Sequence, residues 1–455
     1  MMKATEQKTG MQTYLSNSRA MQQRTCCAAV ALALAALALT GCGIGGSAAS
    51  SGPVSVTGLA ISGKVHGGQS PVKTSTVNLY AAGTTGYGSA ATLLASTSTD
   101  TSGNFNITAP YTCPSGGQIY ITAIQGDSGS GNNLNLAMMA ALGTCPVTSA
   151  IVNINEVTTV ATVWALAPFM TGPANIGSPS TPQALSGIAA AFADVNTLVN
   201  VPTGVTPGLS APTNATVPTA LIYTLANIIA PCINSAGGTA GQMNNCGSLF
   251  TQTTITTAPT DTITAAMNIA QHPGTNVTNI YGLAATAPPF QTGLSTQPSD
   301  FTMAVTFTGN MSAPSALAAD ASGNIWIANK TGNTVTELAQ NGTLLSGSGY
   351  VNHLNAPSAV AFDSLNNLWI TNSGNNTLSV ISGNIPLAAN LSPFSGGSMS
   401  SPNGIAFDSL GHGWVSNNVA AGTLTEFAPA IDLTPTFSTY TPAGGAHYAV
   451  AVNPH

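Results

Sequence analysis

The sequence contains very few charged residues, which make up 4% of the chain, against roughly 25% in an average soluble protein. Four of the seven basic residues precede residue 25, and no Arg follows Arg24. From Cys42 onward, three Lys stand against twelve acidic residues, a formal net charge of −9. Nucleic-acid binding depends on Lys and Arg contacts to phosphates, and bidentate recognition of a carboxylate needs Arg. This composition excludes a nucleic-acid partner and leaves neutral ligands, other proteins and cations.

Residues 1–41 are predicted to be a secretory signal. Arg19 and Arg24 precede an apolar stretch that is too short to span a bilayer. The stretch ends in Leu-Thr-Gly-Cys at residues 39–42, which resembles the lipobox of bacterial lipoproteins. That resemblance implies cleavage before Cys42 and acylation of its thiol, so that lipid anchors the chain to the membrane. Gly43 at the next position favours the outer membrane, and the Gly- and Ser-rich residues 42–53 are expected to form a flexible tether.

Few cysteines remain after that cleavage, and an even number in an exported chain favours two disulfides. They are Cys113, Cys145, Cys232 and Cys246. Three pairings are possible, and proximity along the chain favours Cys113–Cys145 and Cys232–Cys246. A zinc site is the rival interpretation, but no C-x-x-C pair and no nearby His supports it. We expect no metal and no other cofactor.

Residues 54–155 alternate apolar and polar side chains between turn residues, which predicts a β-sandwich of half-buried antiparallel strands. The text from "GLAISGKVHGG" to "TDTSGNFNI" resembles the transthyretin-like, carboxypeptidase-regulatory-like domain. The matching residues are Gly63, Val65, Pro71, Val72, Val77, Leu79, Asp100, Gly103 and Phe105. The resemblance implies a stalk or adhesion module in which Asp100 is a turn residue and not a catalyst.

Residues 156–299 change to the three- and four-residue spacing of helices, which predicts a small, disulfide-linked helical region. The four predicted helices are Glu156–Met170, Thr181–Asn200, Val217–Cys232 and Pro259–Gly274. In the last of these, Thr260 is the expected N-cap, with Asp261 in the first turn. Trp164 lies on an apolar helical face and is expected in the core.

Residues 300–455 contain a repeat with a period near 44. Trp326, Trp369 and Trp414 are 43 and 45 residues apart, and so are Asp320, Asp363 and Asp408. Such a period with several short strands per unit predicts β-propeller blades. The units resemble NHL-repeat and streptogramin-lyase-like propellers. Because a catalytic group is needed once and a fold element in every unit, we interpret these Trp and Asp residues as structural.

The repeat-breaking residues Lys330, His353 and His412 are better candidates for function, although each stands alone in the sequence. Streptogramin lyases, by resemblance, use a His base and acidic residues that hold magnesium inside a complete ring. No matching His–Glu spacing occurs here, and Asn stands where an acid is wanted. We therefore assign no catalytic residue, and a propeller-type lyase or hydrolase remains the alternative function.

The predicted fold is multidomain and mainly β: a β-sandwich, a small helical region and a partial β-propeller of about three and a half blades. We predict a cell-envelope lipoprotein that binds or scaffolds through its propeller. Its expected partners are the membrane, through the lipid anchor, and a glycan or an envelope protein. An incomplete ring leaves strand edges unpaired, so either two copies close one ring as a homodimer or the chain is a remnant of a longer propeller protein.

Overall fold

The computed structural model describes residues 55–451, except 109, 148–150, 285–287, 352, 383–392, 421, 429–434, 443–444 and 446–448. The predicted signal, the tether and Cys42 lie outside the described residues. Within the described part of the chain, no helix has the length and hydropathy that crossing a membrane requires. The described fold is mainly β, as predicted.

Ten strands in residues 55–154 form the first part of the fold, with two four-stranded sheets at its centre. They are β1 (Ser55–Thr57), β2 (Ile61–Gly67), β3 (Ser70–Pro71), β4 (Thr76–Ala81), β5 (Thr92–Ser98), β6 (Asn104–Ile107), β7 (Thr112–Pro114), β8 (Gln118–Ile124), β9 (Ala137–Thr144) and β10 (Ile151–Ile154). One sheet has the antiparallel order β5-β4-β8-β9. In the other, β2 pairs with β3, β6 and β10. The pairing of β10 with β2 is parallel, whereas the sequence predicted antiparallel strands throughout.

Six helices follow among the described residues, and they pack against one another as well as on strand β9 of the sandwich. They are α1 (Glu156–Leu166), α2 (Pro182–Leu198), α3 (Thr219–Ile233), α4 (Asn245–Gln252), α5 (Thr262–Gln271) and α6 (Val277–Tyr281). Among the described residues, no further strand pairs with the outer edge of β9, and threonine hydroxyls accept its N–H groups. Thr159 and Thr162 of α1 bind the N–H groups of Met139 and Ala141 at 3.0 Å. Buried apolar side chains of the sandwich and of the helices form one hydrophobic core.

Several helix ends differ from the predictions for local reasons. Helix α1 stops at Leu166 because Pro168 cannot continue it, and a 3₁₀ turn leads into a short hairpin of β11 (Met170–Gly172) and β12 (Asn175–Ile176). The predicted N-cap Thr260 is wrong. Asp261 is the N-cap of α5, because its Oδ1 accepts the N–H of Thr264 at 2.8 Å. The sequence patterns gave no prediction of α4 and α6.

Three antiparallel sheets in residues 314–440 correspond to the three copies of the repeat and are called blades 1, 2 and 3. Their strands are β15 (Pro314–Ala319), β16 (Ile325–Asn329) and β17 (Thr334–Leu338); β18 (Pro357–Phe362), β19 (Leu368–Asn372) and β20 (Thr377–Ile381); and β21 (Pro402–Phe407), β22 (Gly413–Asn417), β23 (Thr423–Ala428) and β24 (Thr436–Tyr440). The first strands of adjacent blades lie side by side, which gives a propeller-like arc. A short pairing of β13 (Ala215–Thr216) with β14 (Thr306–Phe307) precedes it.

Candidate functional site

Each blade contains the same bonded turn between its first and second strands. In blade 3, Oδ1 of Asp408 accepts the N–H groups of Leu410 and His412 at 2.9 Å, and its Oδ2 accepts the indole N–H of Trp414 at 3.0 Å. These donors, the Trp414 indole foremost, lower the pKa of Asp408. The equivalent indole bonds join Trp326 to Asp320 at 3.2 Å and Trp369 to Asp363 at 2.9 Å.

The repeated Trp rings fill the space between consecutive blades. Trp326 of blade 1 lies edge-on to Phe362 of blade 2, with ring centroids 6.1 Å apart. Trp369 of blade 2 contacts Phe407 and Phe427 of blade 3 at 6.4 and 4.9 Å, and it is completely buried. Contacts of this kind stabilise a fold and leave no ring face for a ligand at Trp369.

Of the repeat-breaking residues, the structure brings only His412 together with other functional groups. Its Nδ1 lies 3.0 Å from Oε1 of Glu426 and 3.8 Å from Oδ2 of Asp408. The hydroxyl of Tyr440 donates to Oε2 of Glu426 at 2.7 Å. Lys330 and His353 lie apart from this cluster, each exposed.

The cluster around His412 has a counterpart in blade 1 that contains no histidine. There Asn324 donates to Oε1 of Glu337 at 3.2 Å, and Tyr350 donates to Oε2 at 2.7 Å. His412 therefore occupies the place of Asn324 and satisfies the same kind of carboxylate. Within the described residues, no group of three His, Cys, Asp or Glu side chains has the arrangement of a metal site.

The second strand of every blade ends in a buried Asn, at the position where the lyase resemblance wants an acid. The amide of Asn329 donates to the hydroxyls of Thr334 and Thr336 at 3.0 and 2.9 Å. Asn372 and Asn417 make equivalent bonds to hydroxyls of the third strands of their blades. These amide groups hold strands together and are not presented to a substrate.

The cysteines pair as proximity along the chain favours. Cys113 of β7 is bonded to Cys145, with Cα atoms 6.4 Å apart, and Cys232 of α3 is bonded to Cys246 of α4, with Cα atoms 4.4 Å apart. Asp100 forms the predicted turn, since its Oδ1 accepts the N–H groups of Ser102 and Asn104 at 2.8 Å.

The structure also contains a cleft of about 440 Å³ that sequence reasoning missed. It lies between the helices and blade 1 and is lined by Trp164, Asp194, Thr197, Phe307, Gln340, Asn341 and four apolar residues. Trp164, expected in the core, is only half-buried. The residues that line the cleft come from four separate stretches of the chain, so no local sequence pattern could have predicted that they lie together. A single clue was available: Asp194 interrupts the apolar run "GIAAAFADV".

No protein-family model and no curated protein matches this chain. Among solved structures, it is similar to virginiamycin B lyase from Staphylococcus aureus with quinupristin, at 14% identity and a TM-score of 0.26 over 31% of this chain and 45% of that one. A streptogramin B lyase matches at 17% identity and a TM-score of 0.25, over 30% and 44%. A putative gluconolactonase matches at 15% and 0.22, over 30% and 50%. The chain thus spans half or less of these relatives, and likenesses this low carry no inference about activity.

Proposed function

We propose that this chain is an exported, lipid-anchored binding module of the cell envelope, whose arc of blades docks a protein partner. Lipidation at Cys42 rests on the lipobox resemblance, and export rests on that resemblance and on the two disulfides. Every carboxylate in the described blades accepts structural hydrogen bonds, as in the turns at Asp320, Asp363 and Asp408. Such an arrangement suits a scaffold.

The observation that carries the docking role is the exposed face of blade 1. Leu317 in β15 is 69% exposed, whereas the equivalent Val360 and Ile405 in blades 2 and 3 are 8% and 9% exposed. Val360 and Ile405 are covered by the preceding blade. Blade 1 therefore presents to solvent a strand that is built to be covered by another blade.

A second copy of this chain is the partner that we propose for this face. Blade-on-blade contact already occurs twice within the chain, and Ser hydroxyls join the first strands: Ser315 donates to the carbonyl of Pro357 at 2.8 Å and Ser358 to that of Pro402 at 2.6 Å. A blade from another copy can supply the same kind of surface. Blade 1 has Ala319 at the position that Phe362 and Phe407 occupy in blades 2 and 3. An intermolecular contact therefore lacks one aromatic ring and is weaker than the contacts between blades within the chain.

The test is photo-crosslinking in intact cells, with a photoreactive amino acid in place of Leu317 and, as a control, in place of Leu410. Leu410 is 80% exposed but lies on a turn of blade 3. We expect a crosslinked product of twice the chain mass from position 317 and none from position 410. The product should be found in the membrane fraction when Cys42 is intact, and it should leave that fraction when Cys42 is replaced. Equal products from both positions, or none from 317, would contradict docking at this face.

A further inference from the structure

The cleft between the helices and blade 1 is preformed by contacts that do not involve a ligand. Trp164 donates its indole N–H to the carbonyl of Phe301 at 3.0 Å, which fixes the ring at the cleft wall. Next to the lining residues Phe307 and Asn341, the amide of Asn214 donates to the carbonyls of Thr308 and Gly342 at 2.8 and 2.9 Å. These bonds tie the segment that carries Phe307 to the outer turn of blade 1. A cleft of about 440 Å³ is within the usual size of small-molecule sites.

Asp194 is the unusual residue of this cleft. Eleven of the thirteen acidic residues lie in the described part of the chain, and ten of them accept at least one hydrogen bond there. Asp194 accepts none from the described residues. It remains accessible to solvent, but its surroundings withdraw water from the carboxyl and raise its pKa.

The rest of the lining complements a positively charged group with an apolar body. Trp164 and Phe307 contribute aromatic rings, whose faces attract cations. None of the described residues that line the cleft is basic, so this lining supplies no cation to the Asp194 carboxylate. Gln340 and Asn341 add amide groups at the blade side, where they can bind a hydroxyl or an amine.

We propose that this cleft binds a small organic ammonium compound, with Asp194 as the counter-ion and Trp164 and Phe307 as the aromatic walls. A neutral sugar is the competing ligand class, since aromatic rings and amides also bind sugars. The unpaired carboxylate favours the cation, because an ionised group near apolar walls is stabilised most by an opposite charge. This site is separate from the exposed face of blade 1, so either proposal can fail without the other.

The probe for the test is choline, compared with 3,3-dimethylbutan-1-ol, which has nearly the same shape without the charge. The full lipid-anchored chain is labelled with 5-fluorotryptophan and studied by fluorine NMR in an uncharged polyoxyethylene detergent. It contains four Trp residues, and the variant Trp164→Phe identifies the resonance of Trp164. We expect choline to shift the Trp164 resonance with a Kd at least fivefold lower than that of the alcohol. Asp194→Asn should raise the choline Kd at least fivefold and leave the alcohol unchanged.

Asp100→Asn is the matched control, because it also removes one negative charge but lies in a sandwich turn that Asn can form. It should leave both Kd values unchanged. Lowering the pH should weaken choline binding as Asp194 becomes protonated, and the alcohol should not respond. Equal affinity for choline and the alcohol, or an equal loss with Asp100→Asn, would overturn the proposal. So would a Trp164 resonance that moves with cellobiose but not with choline.

Discussion

At the scale of single residues, Glu156 is the most heavily constrained carboxylate of the described chain. It is completely buried at the start of α1, and both of its oxygens accept the N–H of Gly68, at 2.9 and 3.0 Å. The amide of Asn234 donates to Oε1 at 3.3 Å. Burial outweighs these donors and raises the pKa of Glu156 to about 7. The residue thereby joins the β2–β3 turn, α1 and the end of α3.

We predict that Glu156 makes the protein less stable at neutral than at acidic pH. A folded-state pKa above the unfolded value means that the stabilisation is fully present below the unfolded pKa of 4.5 and is lost as the pH rises through about 7. That shift corresponds to about 3 kcal/mol. Urea unfolding between pH 5 and 8 should show that Glu156→Gln gains stability relative to the wild type as the pH increases.

The half-buried His66 has the opposite effect on stability, so the comparison must be made between variants. Burial lowers the pKa of His66, and its contribution to stability is therefore lost as the pH falls through its unfolded value. This contribution is common to the wild type and to Glu156→Gln, and it cancels in their difference. The pKa of the Asp100 carboxyl is lowered. The stability of Asp100→Asn should therefore change with pH over this range in the same way as that of the wild type. A constant difference between wild type and Glu156→Gln would contradict the prediction.

His412 provides a second prediction at this scale. Because Asn324 plays the same part in blade 1, His412→Asn should change the free energy of unfolding by less than about 0.5 kcal/mol. Glu426→Leu should cost more, because it removes the acceptor of both His412 and Tyr440. A large loss for His412→Asn in thermal unfolding would show that the histidine does more than replace an amide.

At the scale of elements, the two Trp residues with the same indole bond separate hydrogen bonding from packing. Trp369 and Trp414 donate to their Asp partners at 2.9 and 3.0 Å, but Trp369 is completely buried and Trp414 only half-buried. We predict that Trp369→Ala costs about 3–5 kcal/mol and Trp414→Ala about 1–2 kcal/mol. Chemical unfolding of both variants measures the difference, and equal losses would mean that the indole bond dominates.

The blades could be predicted from the sequence because their determinants are local. Asp408, Gly411 and Trp414 lie within seven residues and form one turn, so repetition of the pattern reveals the unit. The sharing of one core by sandwich and helices could not be predicted. The hydroxyls of Thr159 and Thr162 bind a strand edge about 20 residues away in sequence, and a helical pattern does not show which of its Thr residues bind a strand. The cleft could not be predicted for the same reason, since Asp194 and Gln340 line one cleft only in the folded chain.

At the scale of the whole molecule, we predict that the exposed strand of blade 1 leads two copies of the chain to associate in solution. Covering Leu317 removes an apolar side chain from water, which favours association by about 1–2 kcal/mol for full burial, and the rest of the blade face adds to this. Ala319 limits this favourable free energy, because the contacts between blades within the chain have Phe at the equivalent position. We therefore expect a reversible dimer and not an obligate one.

Light scattering of the chain from residue 43 onward should accordingly give a mass that rises from one to two chains with concentration. Leu317→Asn should keep the chain monomeric, because an amide at the centre of the contact between two copies must lose its water without gaining a hydrogen-bond partner. Leu410→Asn, which changes an equally apolar and exposed side chain on a turn, should associate like the wild type. If the wild type stays monomeric while its blades resist proteolysis, the face of blade 1 is not an interface between copies, and the partner of this module has to be a different protein.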